Sequence, residues 1–368
     1  MSDEAPREVL VVGTGLIGTS IGLALVAADQ RVWLTDRDAK TAQVASDRGA
    51  GEVLGVDAKP TLIVIAVPPR SVPVVAAEYL TLFPNATVTD VASVKTLPLT
   101  RLAEIAPNQL DRFVGGHPMA GREVAGPMSG RSDLFEDRLW AITPTDANTV
   151  ERVGEVRWLA TKCGSLVVDL SPAEHDRAVA LTSHAPQLLA SILAAQLADA
   201  DPGDVAVSGQ GLRDATRLAD SVPDLWAEIL ASNAPDVLRV LNRLTEELAL
   251  VIESLERVAD ADYRRDLPPD IAPVRSILER GNEGRTALPD KHGGTAHDYD
   301  VIPVVVDDKP GELARLFAAA GEVDVNLEDV RIEHTVGRLR AIIELDVDPA
   351  SSQRLRRLLQ ESGWQIRG

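Results

Sequence analysis

A short apolar run, Glu8-Val9-Leu10-Val11-Val12, ends directly on Gly13-Thr14-Gly15-Leu16-Ile17-Gly18, and a small-residue apolar stretch from Thr19 to Ala28 follows. This order constrains the fold more than any other feature of the chain. A strand, a tight glycine loop and a helix form the first half of a parallel α/β unit, the setting in which a G-x-G-x-x-G loop binds a dinucleotide. Gly13 permits the sharp turn, Gly15 lets the backbone approach a pyrophosphate, and Gly18 lets the helix close on the strand. Thr14, Leu16 and Ile17 complete the loop, and the free N–H groups of the helix start face the phosphates. A second strand, Arg31 to Thr35, ends in Asp36, eighteen residues after Gly18. A carboxylate there accepts the ribose hydroxyls and repels a 2′-phosphate, which predicts NAD as cofactor rather than NADP. The adjacent Arg37 is the one neighbour that could tolerate that phosphate.

The same alternation of apolar runs and helical stretches continues to about residue 170. Thr61 to Val67 reads as a buried strand of a central parallel sheet, with Val67 and Pro68 at its carboxyl end. Ala86 to Asp90 is the next strand and leads to Ser93 and Lys95; Arg112 to Gly115 leads to His117 within Gly115-Gly-His-Pro-Met-Ala-Gly121. Leu139 to Thr143 and Ser165 to Asp169 complete the set. Ligands of open α/β sheets bind beyond the carboxyl ends of the strands, and the glycine loop, Asp36, Pro68, Ser93 and His117 all fall there. A histidine at such an edge, in what reads as a glycine-rich turn, is a candidate proton acceptor near neutral pH. The competing reading is a turn histidine without chemistry.

Composition excludes several classes. With one cysteine, Cys163, the chain has no intramolecular disulfide framework and no clustered thiolate metal site, so no metal is expected. A net charge of −19 argues against a phosphate-neutralising nucleic-acid surface. Met1 to Arg7 is polar and unlike a signal peptide. The longest apolar runs, such as Leu62 to Val67, are too short to cross a membrane. A cytoplasmic enzyme of two or three domains is expected from 368 residues.

Residues 171–285 are helical by pattern. Ser171-Pro172-Ala173-Glu174 is a capping box with proline at the first helical position. It predicts a helix through Leu197, kinked at Pro186. His184 shares the apolar spacing of Leu181 and Leu188, which makes it either a satisfied interior residue or a cleft residue. Arg213 and Arg217 stand at i and i+4, with Asp214 three residues before Arg217 and able to pair with it. They form either a solvated face or a carboxylate grip. A leucine-rich amphipathic helix, begun by Asn233 and running from Ala234 to Ala261, suggests burial against a second subunit, hence a homodimer. Residues 286–297 form a glycine-rich, polar linker. Residues 298–368 then read β-α-β-β-α-β, the ferredoxin-like order, with no cluster of catalytic groups.

Taken together, Gly13 to Gly18, Asp90-Val-Ala-Ser-Val-Lys95, Gly115 to Gly121 and Gly211-Leu-Arg-Asp-Ala-Thr-Arg217 resemble the prephenate dehydrogenase family of tyrosine biosynthesis over about Val9 to Leu267. The tail, with Asp308-Lys-Pro-Gly-Glu-Leu313 and Asn326, is similar to an ACT domain. The resemblance implies three parts: a Rossmann-like NAD-binding domain at 1–170, a helical substrate and dimerisation domain at 171–285, and an ACT-like regulatory domain at 298–368. It implies oxidative decarboxylation of prephenate to 4-hydroxyphenylpyruvate. His117 would accept the hydrogen bond or proton of the 4-hydroxyl, and Ser93 would orient it. Arg217 would bind a substrate carboxylate, with Asp214 holding it and Arg213 assisting. His184 would face the same cleft, and Glu123 would close it by pairing with a basic group. Lys95 is either a surface charge or a site residue, and Trp226 either core or site. Arogenate dehydrogenases share these motifs, and an amino-acid effector at the tail is a further expectation.

Two other classes make different demands on the sequence. A β-hydroxyacid dehydrogenase relies on a lysine in its helical domain, and no lysine occurs between Lys162 and Lys291. A non-catalytic NAD-sensing regulator would need no acid–base pair.

Overall fold

The computed structural model of the chain describes residues 6–121, 126–259, 271–288, 299–334 and 340–367. It contains two compact units, Met1–Leu244 and Thr245–Gly368.

The first unit is built on an eight-stranded sheet in the order β3-β2-β1-β4-β5-β6-β7-β8. Its strands are β1 (Glu8–Val12), β2 (Arg31–Thr35), β3 (Glu52–Val53), β4 (Leu62–Ile65), β5 (Thr87–Asp90), β6 (Phe113–Pro118), β7 (Leu139–Thr143) and β8 (Leu166–Asp169). The period of two in a strand sends alternate residues to opposite faces. Val9 and Val11 of β1 therefore join one apolar layer with Leu34, Val64 and Ile21, while Leu10 and Val12 join the other with Trp33, Ile63 and Leu80. Burial on both faces explains why these strands read as unbroken Val/Ile/Leu runs. Helices α1 (Leu16–Ala27), α2 (Ala39–Asp47), α3 (Val72–Leu82), α4 (Thr96–Ile105) and α5 (Val150–Lys162) cover the faces.

Strands β1 to β6 are mutually parallel, so the ends of β1, β2, β4, β5 and β6 emerge at one edge. The expected central parallel sheet is present in β1 to β6, and the direction reverses beyond that point. Strand β7 runs antiparallel to β6, and β8 runs parallel to β7. The carboxyl ends of β7 and β8 thus lie at the opposite edge and cannot contribute to the same site. A parallel partner needs a crossover element, and the connection between β6 and β7 has only a short 3-10 turn, Pro127–Ser129, among its described residues.

The helices that follow begin with the predicted capping box. Ser171 Oγ accepts from Glu174 N at 3.2 Å and Ser171 N donates to Glu174 Oε2 at 2.8 Å. Helix α6 (Pro172–Val179) passes through a π turn, Ala180–His184, into α7 (Ala185–Ala195). This is the predicted proline irregularity in another form. Pro186 has no N–H to give the preceding turn, and one wide turn absorbs the loss without a break in the helical path. The wide turn also overturns the shared-face expectation for His184, which is buried while Leu181 is 56% exposed. Helices α8 (Pro202–Val205), α9 (Gln210–Thr216), α10 (Pro223–Ser232) and α11 (Ala234–Ala259) complete the series.

The second unit contains the end of α11, helix α12 (Ala272–Thr286) and a four-stranded antiparallel sheet. Strands β9 (Asp300–Asp307), β10 (Asp329–His334), β11 (Arg340–Val347) and β12 (Gln365–Ile366) pair in the order β10-β11-β9-β12. Helices α13 (Glu312–Glu322) and α14 (Pro349–Glu361) pack on it around Leu316, Leu355 and Leu359. Helix α12 carries the chain through Arg285 and Thr286, so it includes the first residue of the expected linker.

Candidate functional site

The glycine loop has the three features its sequence requires. Gly13 has φ +95, and a Cβ there would strike the Ala66 carbonyl and crowd Val67. At Gly18 a Cβ would strike the Gly13 carbonyl, so only glycine lets α1 close on β1. A Cβ at Gly15 would meet nothing within 4 Å, which leaves the loop open on that side. Asp36 closes the far side, its Oδ2 accepting from Thr14 N at 2.7 Å and Thr14 Oγ1 at 3.1 Å. Gly13, Thr14, Asp36 and Val67 are thus drawn together at the start of α1, with Leu16 and Ile17 half-buried in its first turn and Pro68 exposed after β4. Open backbone beside a helix N-terminus, with a carboxylate at the next strand end, fits the pyrophosphate and ribose of a dinucleotide.

The histidine motif corrects its first reading. Gly115, Gly116 and His117 lie within strand β6 and not in a turn. The glycines are required for room. A Cβ at Gly115 would strike Thr143 Oγ1 and press on Lys95, and one at Gly116 would lie 2.9 Å from the Asp90 carbonyl and 3.1 Å from Trp140 Nε1. The buried object behind them is an ion pair. Lys95 Nζ bonds Asp90 Oδ2, with both side chains 1% exposed, and donates to the Gly116 carbonyl at 2.6 Å. Asp90 Oδ1 accepts Gly116 N at 3.2 Å. Lys95 is therefore no surface charge: it braces the backbone immediately before His117. Burial lowers its pKa, against the attraction of Asp90.

His117 Nδ1 lies 2.8 Å from His175 Nε2, and His175 Nδ1 lies 2.8 Å from Asp176 Oδ1. Asp176 is fixed by the start of α4: Lys95 N donates to Oδ1 and Thr96 N to Oδ2, each at 2.8 Å. His184 is joined to this cluster through Asn233, whose Nδ2 donates to the Asp176 carbonyl at 2.8 Å and lies 3.1 Å from His184 Nδ1. Asn233 thus directs its amide into the site instead of capping α11. Trp226 is half-buried, its ring edge-on to His184 at 6.2 Å. Burial first, then repulsion between a charged His117 ring and its neighbours His175, Lys95 and His184, pushes the His117 pKa well below 6.5. Burial also brings His184 down to about 4, against the opposing pull of Asp176. Both rings are neutral at pH 7, the form a proton acceptor needs.

Other expected site residues fall differently. Ser93 is half-buried after β5, and among the described residues no hydrogen bond joins it to His117; the group in contact with that ring is His175. Asp214 Oδ1 accepts from Gln210 Nε2 at 2.9 Å, and no ion pair joins it to Arg217 among the described residues. The expected pairing fails because α9 ends at Thr216 and Arg217 begins a 3-10 turn, which changes the register between them. Arg213 and Arg217 are exposed, the turn of Arg217 packing beside α7. Glu123 lies outside the described residues. His175 and Asp176 are site residues that the capping-box pattern, a signal of helix start alone, does not mark. Their signal was spacing, since each stands four residues before a buried apolar position, Val179 and Ala180.

Within the 24-residue helical stretch Pro172–Ala195, one 18-residue window reaches a mean hydropathy of 1.3, long and apolar enough by length and composition alone to cross a bilayer. Its buried face carries His175, Asp176, His184 and Gln187, which commits it to the site of the first unit.

A glycine loop at a helix start, an acidic strand end and a buried histidine chain on one sheet edge define a dinucleotide-dependent oxidoreductase of the Rossmann class. Residues 21–169 match the prephenate dehydrogenase nucleotide-binding domain, and residues 171–267 match the prephenate dehydrogenase dimerization domain. The chain belongs to the prephenate dehydrogenase family. NovF of Streptomyces niveus, named a probable prephenate dehydrogenase, is 33% identical over 364 residues, 97% of this chain and 99% of its own. The prephenate dehydrogenase of Bacillus subtilis is 26% identical over 350 residues, 92% of this chain and 91% of that one. Among solved structures, Aquifex aeolicus prephenate dehydrogenase in complex with hydroxyphenyl propionate and NAD+ aligns with TM-score 0.66 and 26% identity, covering 77% of this chain and 99% of that one. Synechocystis arogenate dehydrogenase aligns with TM-score 0.63 and 25% identity over 76% of this chain and 99% of that one.

Proposed function

We propose that the chain is an NAD-dependent prephenate dehydrogenase that converts prephenate to 4-hydroxyphenylpyruvate and carbon dioxide. The observation that carries this reading is His117, kept neutral on the sheet edge that also bears the glycine loop. Gly13 to Gly18 and Asp36 hold the dinucleotide, with Val67 and Pro68 beside it; bound NAD supplies the two-electron acceptor. His117 Nε2 takes the hydrogen bond, and then the proton, of the substrate 4-hydroxyl as that carbon is oxidised. Loss of carbon dioxide aromatises the ring. Arg217, with Arg213 nearby, supplies positive charge for a carboxylate; His184 and Ser93 line the cleft. The first unit also exposes Leu181, Leu189, Ile192 and Leu193, an apolar face suited to a second copy of the chain in a homodimer.

The deciding experiment measures NADH or NADPH formation with prephenate or arogenate against NAD or NADP. Prephenate with NAD is expected to turn over fastest. Faster turnover of arogenate would move the assignment to arogenate dehydrogenase, the alternative favoured by the likeness to the Synechocystis enzyme. Absence of turnover with either substrate would remove the enzymatic reading and favour a regulator. Asp36→Asn is expected to raise the KM for NAD by on the order of 10-fold to 100-fold, the effect of about 1.5–3 kcal/mol lost from a charged hydrogen bond. An unchanged NAD/NADP preference in that variant would place the selection elsewhere.

For the second unit, the sheet order β10-β11-β9-β12 with helices between supports a ferredoxin-like, ACT-like domain that binds an amino acid such as tyrosine. Removing residues after Gly294 is expected to abolish any response to tyrosine and leave basal turnover. Undiminished inhibition in the shortened chain would locate the effector in the catalytic cleft.

A further inference from the structure

We propose that His175, itself set by Asp176, fixes the tautomer of His117 so that Nε2 is the nitrogen left bare for the substrate hydroxyl. This rests on His117 being the acceptor, and it assigns the two residues behind it a positioning role in the reaction.

The argument runs outward from Asp176. Its Oδ1 and Oδ2 receive the N–H groups of Lys95 and Thr96, each at 2.8 Å. Backbone N–H groups can only donate, so both oxygens accept, which favours the carboxylate form of Asp176. Burial alone would raise its pKa, but the hydrogen bonds from His175, Thr96 and Lys95 outweigh that and lower it. A carboxylate 2.8 Å from His175 Nδ1 requires the proton on that nitrogen. With its proton on Nδ1, His175 offers the lone pair of Nε2, which lies 2.8 Å from His117 Nδ1. His117 must place its own proton on Nδ1, and its remaining nitrogen, Nε2, keeps the lone pair. Among the described residues no hydrogen bond engages Nε2, and His117 is half-buried while His175 is fully buried. An isolated imidazole carries its proton on either nitrogen; here one choice at Asp176 propagates through two rings. The ionisable groups gathered around His117 are His175, Lys95, His184, Asp176 and Asp90, and Lys95 and His184 oppose a charge on its ring.

A mere scaffolding role and a tautomer-setting role predict opposite rankings of variants. In Asp176→Asn the amide nitrogen must face either Thr96 N–H or Lys95 N–H and His175. The second arrangement donates to His175 Nδ1, reverses both ring bonds and puts a proton on His117 Nε2. In His175→Met no ring remains to impose either tautomer. Asp176→Asn, two residues removed from the substrate, is therefore expected to lower kcat by on the order of 10²–10⁴. His175→Met is expected to lower it by less than Asp176→Asn does, because an unconstrained His117 ring still presents a bare Nε2 part of the time. Substrate KM should change little in both. The double variant should recover to the level of His175→Met. A double variant as slow as Asp176→Asn, or a slower His175→Met than Asp176→Asn, would overturn the proposal.

A second measurement needs no turnover and no altered fold. Nitrogen NMR of the full wild-type chain labelled in histidine, with His117→Asn used to assign the ring, is expected to show His117 protonated at Nδ1 and bare at Nε2. The opposite tautomer would overturn the proposal even in an active enzyme. Failure of the functional reading is separate: it appears as no turnover of prephenate or arogenate by the wild type, whatever the NMR tautomer.

Discussion

His117→Asn is expected to lower kcat by on the order of 10²–10⁴, the usual cost of an acid–base group, while NAD still binds and the fold persists. Asparagine keeps a polar group of similar reach but has no basic nitrogen. The pH profile supplies the sign. Burial first, then repulsion from the neighbouring His175, Lys95 and His184, lowers the pKa of His117 well below 6.5, so the neutral form is present at pH 7 and is lost only as pH falls through the lowered value. The acid limb of kcat/KM should therefore lie below 6.5, with a plateau above it. An acid limb at or above 6.5, or retention of full kcat in His117→Asn, would contradict the role assigned to this ring.

Lys95→Met should have the largest effect on stability. It leaves Asp90 charged, buried and deprived of its cation, a change that costs about 3–5 kcal/mol. The Gly116 carbonyl also loses its donor, so β6 should loosen next to His117. Denaturant unfolding would measure the first effect and residual kcat the second. Pairing Lys95→Met with Asp90→Leu should recover part of the stability, because the isolated charge is the main penalty. A Lys95→Met midpoint equal to wild type would mean that water reaches Asp90 and the pair is not sealed.

The sequence made the framework legible wherever a local rule was sufficient. Gly13, Gly15, Gly18 and Asp36 sit in one short β-α-β segment, and the capping box at Ser171 and Glu174 needs only four residues. The reversal at β7 was hidden because an apolar run carries no direction. Gly115 and Gly116 read as turn residues because glycine serves both tight turns and close packing; only the neighbouring Lys95 and Asp90 separate the two. The histidine chain was the least legible part. His117 and His175 are 58 residues apart, and no periodicity links a strand to a helix that passes beside it. The Asp214–Arg217 pair was expected from helical spacing and lost because the helix ends between them.

The π turn at Ala180–His184 also sets the phase of the long helix. Each residue of an α-helix advances the face by about 100°, so trimming one residue from Ala180–Ser183 to regularise the turn would rotate one end of this helix against the other. His175 and Asp176 on one side, and Gln187 and Ala190 on the other, could then no longer face inward together. The wide turn works as a keyway: it tells apart chains of nearly equal helical propensity by whether both halves of the helix can be seated at once.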